Sequence, residues 1–128
     1  MIVAGIGCRA GASARDIEAA LTAALVQARL DPGALGVIAT SRAKSGEPGI
    51  AAAASARGAR LVVVPQAELE AAGSRGATRS ERVLALTGVP SVAEAAALAV
   101  AGPDARLLVA RVAVGPVTCA LAIVGEKT

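Results

Sequence analysis

No phenylalanine, tyrosine or tryptophan occurs in the 128 residues, so any core this chain forms must be assembled from Leu, Ile, Val and Ala. The hydrophobic share is nevertheless 55%. Much of it is alanine, which favours helices and close backbone approach more than it adds buried area. The expected interior is therefore finely divided, with elements packed close together. A chain of this length is expected to fold as one domain over residues 1–128.

The same deficit removes the aromatic platforms on which single-stranded nucleic acid stacks. The formal charge is +3, but the basic residues are dispersed from Arg9 to Lys127 instead of forming a stripe, so no nucleic-acid partner is expected. A few positive charges focused in a cleft still suit a small polyanion. Residues 1–6 are too short for a secretory signal, and no long apolar window free of charge reads as a membrane span. The expectation is a cytoplasmic protein with no membrane partner. Cys8 and Cys119 are too few for a disulfide framework and should be free thiols.

Residues 1–6 form an apolar run that meets a glycine-rich turn and then a helical pattern. Ser13 and Asp16 have capping-box spacing, and Ile17, Leu21, Leu25 and Ala28 recur on one helical face. The turn Asp31-Pro32-Gly33 should end this helix. Residues 35–40 read as a second strand, and Gly46-Glu47-Pro48-Gly49 opens a second helix with proline near its first position. Residues 60–64 are apolar in the middle, as in parallel strands buried on both faces. Residues 66–72 suggest a short helix, and residues 73–79 a mobile loop. Thr78 with Glu81, and Ser91 with Glu94, each match the capping-box spacing and predict two more helix starts. Residues 106–112 and 117–124, separated by Gly115-Pro116, read as adjacent strands, with an antiparallel hairpin as one arrangement. The fold class expected is three-layer α/β, with a mixed, mostly parallel sheet covered by helices on both faces.

Four segments, in order, are Gly5-Ile-Gly-Cys-Arg-Ala-Gly-Ala-Ser13, Lys44-Ser-Gly-Glu-Pro-Gly49, Gly88-Val-Pro-Ser-Val-Ala-Glu-Ala-Ala-Ala-Leu98 and Gly115-Pro-Val-Thr-Cys-Ala120. As a set they resemble the cobalamin-biosynthesis family formed by CobE and the C-terminal domain of CbiG, with a stand-alone CobE-like organisation. The resemblance implies a place in vitamin B12 (porphyrin and tetrapyrrole) metabolism. It also implies a corrin or precorrin ligand rich in acetate and propionate groups, and other cobalamin-pathway enzymes as partners. CbiG-type proteins open the lactone of a cobalt-containing corrin precursor, an activity of the longer protein. Arg111 departs from the lysine that the resemblance leads one to expect.

Given such a ligand, the first loop is the leading candidate site. Gly7, Cys8, Arg9, Gly11 and Ser13 precede a helix whose first N–H groups lack intrahelical partners, and Arg9 suits bidentate pairing with a carboxylate. Alternatively, the glycines only permit a tight turn and Ser13 is only an N-cap. Lys44, Glu47 and Gly49 follow the second strand and should share the same carboxyl edge, where α/β folds bind ligands. The plainer readings are a solvated ion pair for Lys44 and a Glu47 that complements a helix dipole. Ser91 and Glu94 complete the candidate ligand-binding set.

Two catalytic candidates stand beside this binding set, for an enzyme acting on a precorrin by hydrolysis or rearrangement around ring contraction. Cys8, near a helix N-terminus and Arg9, is expected to have a lowered thiol pKa. With no histidine to activate it, a pocket-filling cysteine is the stronger reading. Glu94, among alanines, would be a poorly solvated acid or base. The capping box with Ser91 explains it more simply, and on that reading glutamine would serve nearly as well. No cofactor is expected, and the lack of histidine argues against a protein-held metal. The first loop fits neither a dinucleotide fingerprint nor a P-loop, so ATP and NAD are not expected ligands.

Overall fold

A computed structural model describes residues 1–125. Five strands form one sheet in the order β3-β2-β1-β5-β4: β1 is Ile2–Cys8, β2 Leu35–Ser41, β3 Arg60–Val64, β4 Arg106–Val114 and β5 Val117–Ile123. β1–β2 and β2–β3 are parallel, whereas β1–β5 and β5–β4 are antiparallel. The sheet is mixed as expected: β1, β2, β3 and β4 run in one direction and β5 against them, so two of the four strand pairings are parallel and two antiparallel. The terminal hairpin inserts β5 beside the first strand, and this accounts for both antiparallel pairings.

Helices α1 (Ala14–Gln27) and α2 (Pro48–Arg57) cover one face. The chain steps from β1 to β2 to β3 in one direction, and crossovers of one hand in one direction leave both helices on the same side. Helices α3 (Gln66–Gly73) and α5 (Val92–Ala101) cover the opposite face, with the short α4 (Glu81–Thr87) between them in sequence. α5 is the most apolar of these helices and is nearly all buried against β1, β2 and β5. Among the described residues, no single helix is long and apolar enough to cross a membrane.

Residue size divides the two faces. Along β1, Ile2, Ala4 and Ile6 point toward α1 and α2, while Val3, Gly5 and Gly7 point toward α5. A Cβ on Gly5 would lie 1.8 Å from the Ala93 carbonyl oxygen, so α5 rests directly on the strand backbone. Ala122 of β5 and Ala39 of β2 continue this low floor. A chain without aromatic side chains has thus built one of its two cores by bringing a helix close to the sheet.

Ser13 and Asp16 form the reciprocal capping box at the start of α1. α1 ends earlier than the Asp31-Pro32-Gly33 turn: Arg29 takes the left-handed conformation at φ 57° and the Leu30 N–H bonds back to the Leu25 carbonyl. α4 starts from Ser80, whose hydroxyl accepts from the Val83 N–H, and not from Thr78. β3 also departs from expectation. It lies at the sheet edge with Leu61 and Val62 half-buried and Val63 39% exposed, so its apolar run is not covered on both faces.

Candidate functional site

The carboxyl ends of β1 and β2 deliver two loops to one edge of the sheet, and the start of α5 and the β4–β5 turn meet them there. The Arg9 N–H donates to the Pro116 carbonyl (2.9 Å), which ties the first loop to the Gly115-Pro116 turn. A Cβ on Gly7 would lie 2.8 Å from Thr118 Oγ1 and 3.6 Å from Val92 Cβ, so the first residue of α5 abuts the same strand end. On the other side, a Cβ on Gly49 would lie 2.3 Å from the Ala12 carbonyl oxygen. The start of α2 is therefore pressed against the first loop, and glycine is required for this approach.

Glu47 closes the arrangement. Its two carboxylate oxygens accept from the Gly11 N–H at 3.3 and 3.2 Å, with Gly11 held at φ 82°. Glu47 occupies the N-cap position of α2 but makes no side-chain cap to that helix. Glu47 therefore stands at the N-terminus of α2, as the dipole reading expects, while its carboxylate bonds to the first loop. Lys44 is half-buried nearby, close enough to act electrostatically on Cys8. Arg9 is exposed and its guanidinium has no hydrogen-bond partner among the described residues.

Gly7, Cys8, Arg9, Gly11, Ser13, Lys44, Glu47 and Gly49 are therefore gathered at one edge, as their positions in the sequence implied. Their roles divide. Ser13 is engaged in its capping box, whereas Arg9 and Lys44 remain available to a ligand. Burial pushes the Cys8 thiol pKa up; Lys44 opposes the shift and Glu47 reinforces it. This reverses the expectation of a lowered pKa: the thiol stays protonated at neutral pH and is a poor nucleophile.

Ser91 and Glu94 are buried behind this edge. The Ser91 hydroxyl accepts from the Glu94 N–H at 3.4 Å, but the Glu94 carboxylate does not return to the Ser91 N–H, so the capping box is only half made. The carboxylate instead accepts from the Thr78 N–H (2.8 Å), the Thr78 hydroxyl (2.7 Å) and the Arg111 N–H (2.9 Å). Arg111 lies where β4 slips register against β5 between Val109 and Val112, and Glu94 satisfies the amide freed by that bulge. Arg75 crosses the other end of α5, donating to the Leu98, Gly102 and Pro103 carbonyls. Residues 73–79, expected to be a mobile loop, are in fact strapped along α5 at both ends.

Sequence reasoning missed three participants. Thr118 donates its hydroxyl to the Gly7 carbonyl at 3.2 Å, and Thr40 donates to the Ile6 carbonyl at 2.9 Å, so two threonines fix the end of β1. Thr78 is the third. For Thr40 and Thr118 the local signal was only a hydroxyl residue in an apolar strand, a pattern too common to be read, and the spacing of Thr78 to Glu81 pointed to a cap and not to Glu94. Among the described residues, no group of three His, Cys, Asp or Glu side chains is placed to hold a metal ion.

Cys119 faces the α1 and α2 core, fully buried, and burial pushes its thiol up to about 12, with Arg57 weakly opposing. The native state then holds a proton that the unfolded chain releases above about pH 9, so this group's stabilisation is present below pH 9 and lost as the pH rises toward 12. Relative to Cys119→Ala, the wild type should lose up to about 1.4 kcal/mol per pH unit across that window. Urea unfolding of both proteins at several alkaline pH values checks this, and a stability difference independent of pH would contradict it.

Residues 2–122 match the family described as "Cobalamin synthesis G C-terminus". The chain belongs to that family. It is 40% identical over 121 residues to protein CobE of Sinorhizobium sp, covering 94% of this chain and 79% of that protein. The crystal structure of a CobE from the cobalamin biosynthetic pathway superposes with a TM-score of 0.91 at 34% identity, covering 99% of this chain and 93% of that one. The cobalamin biosynthesis protein ChiG of Agrobacterium tumefaciens gives 0.78 at 37% identity, with 98% and 100% covered. A cobalamin biosynthesis protein G homologue from Sulfolobus solfataricus shares the fold alone, at a TM-score of 0.71 and 20% identity. The family places this chain in cobalamin biosynthesis, and its fold is that of CobE.

Proposed function

We propose that the protein binds a corrin or precorrin intermediate by its peripheral carboxylates at the edge formed by the first loop, Lys44 and the Gly115-Pro116 turn. The observation that carries this reading is the carboxylate already seated there: Glu47 on the Gly11 N–H. The Gly11 N–H holds this anionic group, and the exposed Arg9 guanidinium, two residues earlier in the loop, is free to pair with another. A ligand acetate or propionate takes the place of Glu47 on Gly11 while Arg9 and Lys44 hold its neighbours. Binding therefore involves an exchange of one carboxylate for another.

The geometry favours binding over turnover. Glu94 has no exposed surface and its carboxylate is engaged, and Cys8 is held as a thiol, so neither catalytic candidate is presented to a ligand in reactive form. Cytoplasmic location and docking with other pathway enzymes follow naturally from a carrier role for an intermediate.

Titration of the purified protein with a panel of corrinoid intermediates, read by visible absorbance and calorimetry, tests the proposal. Arg9→Ala should weaken binding by about tenfold or more, as expected for loss of a charge-assisted pair. Glu47→Gln should strengthen it several-fold by removing the competing carboxylate. Absence of corrinoid binding, or Glu47→Gln weakening it as much as Arg9→Ala, would defeat the exchange. Mass analysis of the recovered ligand detects any turnover.

A further inference from the structure

The two edges of the sheet are built differently. β4 carries two register shifts against β5, and Arg106 and Arg111 lie along it. Bulges and charged side chains are the usual devices that keep an edge strand from pairing with another chain. β3 has neither a bulge nor an internal charge: it pairs with β2 in unbroken register and reads Arg-Leu-Val-Val-Val. Its sequence is that of a strand covered on both faces, yet Val63 is 39% exposed and the outer edge is unpaired among the described residues.

Arg60, Val62 and Val64 lie on the same side of β3 and line a groove of about 470 Å³ with Glu68 and Val100. Arg60 marks the start of the strand, and Glu68 lies in the first turn of α3, just beyond the strand's end. Neither makes an ion pair among the described residues. A positive charge before the strand and a negative charge after it are self-complementary under a two-fold axis, which reverses one copy against the other.

We infer that β3 is the meeting edge of two copies of this chain, paired antiparallel about a two-fold axis at Val62 so that the sheet continues across the dimer. In that register Arg60 lies opposite Val64 of the second copy, and its long side chain reaches Glu68 there. On the other side of the sheet, Leu61 of one copy faces Val63 of the other, covering the exposed valine. A stable interface needs about 800 Å² from each partner. Five strand residues supply only part of this, and the adjoining groove and α3 supply the rest. Without aromatic anchors the association is of moderate strength, in the micromolar range by order of magnitude. This inference is independent of the ligand proposal, since neither Arg9 nor Lys44 lines the groove.

Sedimentation equilibrium of the full chain from about 1 to 200 μM should show a reversible monomer–dimer exchange with a dissociation constant in that range. Val63→Lys and Arg60→Glu should each weaken it by about tenfold or more. The double variant Arg60→Glu with Glu68→Arg should recover affinity to within about threefold of wild type. Ala113→Lys, on the opposite edge, should leave the constant unchanged, and thermal unfolding confirms that each variant is folded. If Val63→Lys does not fold, the surface charge swap decides alone. A monomer at every concentration, a dimer insensitive to the β3 variants, or a charge swap that restores nothing would each overturn the inference.

Discussion

Gly5→Ala should destabilise this protein by at least about 3 kcal/mol, although it adds a single methyl group. The new carbon would be placed 1.8 Å from the Ala93 carbonyl oxygen and 2.8 Å from the Ala97 backbone nitrogen. Both obstacles are main chain of α5, so no side-chain rotation can relieve them. α5 would have to rise from the sheet, opening its alanine contacts with β1, β2 and β5 together. Most of one core depends on that approach, and a domain of this size has only about 5–15 kcal/mol to lose. Gly33→Ala is the control, since its added carbon meets only Asp31 Oδ1 at 3.5 Å in an exposed turn. Urea unfolding of the two variants beside wild type measures both effects. A Gly5→Ala protein within 1 kcal/mol of wild type, the lower end of typical overpacking costs, would mean that α5 is not seated as described.

The seating of α5 also shows which kinds of structure the sequence discloses. Local chemistry was readable: the Ser13–Asp16 box, the proline at the start of α2 and the short α3 all appear where their residue patterns place them. Hydrophobic run length found every strand to within about two residues, because burial demands it regardless of which neighbours a strand acquires. Neighbours were the harder part. The run at 60–64 signals burial on both faces and cannot tell an interior strand from an edge that another surface covers. Nor does anything near Gly5 reveal that a helix 88 residues later in the chain will rest on it, since Ala93 is ordinary helix sequence.

At the candidate site the same division holds. Loop glycines and the two basic residues could be gathered in advance, because strand–loop–helix order sends the ends of β1 and β2 to one edge. Pairing between loops could not be foreseen. Glu47 binds an amide 36 residues away, and Cys8 owes its raised pKa to burial that no local motif encodes. The helix start misread at Thr78 and the box left half made at Ser91, where α5 does begin, have one cause. Both spacings fit a capping box, but Thr78 and the Glu94 carboxylate bond to each other instead.

That pairing makes Glu94→Gln the sharper of the two stability tests. A capping glutamate tolerates glutamine because one carbonyl oxygen suffices. Glu94 instead presents two oxygens to donors on both sides: Oε1 accepts the Thr78 N–H, while Oε2 accepts the Arg111 N–H and the Thr78 hydroxyl. Glutamine has only one acceptor oxygen, so whichever way its amide is turned, an NH2 group confronts a backbone N–H. The Thr78 hydroxyl can rotate to accept, but neither backbone amide can. One partly buried donor is thus left unsatisfied, at a cost of about 1–3 kcal/mol. Glu94→Ala removes both acceptors, strands the two amides and empties the space beside Gly76, so its loss should be larger, about 3–5 kcal/mol. Chemical denaturation gives both values. Amide exchange at Thr78 and Arg111 should quicken in Glu94→Gln ahead of the rest of the sheet, because those are the two donors the carboxylate protects. If Glu94→Gln is as stable as wild type and those amides exchange no faster, the carboxylate is not what fastens residues 73–79 and the β4 bulge to α5.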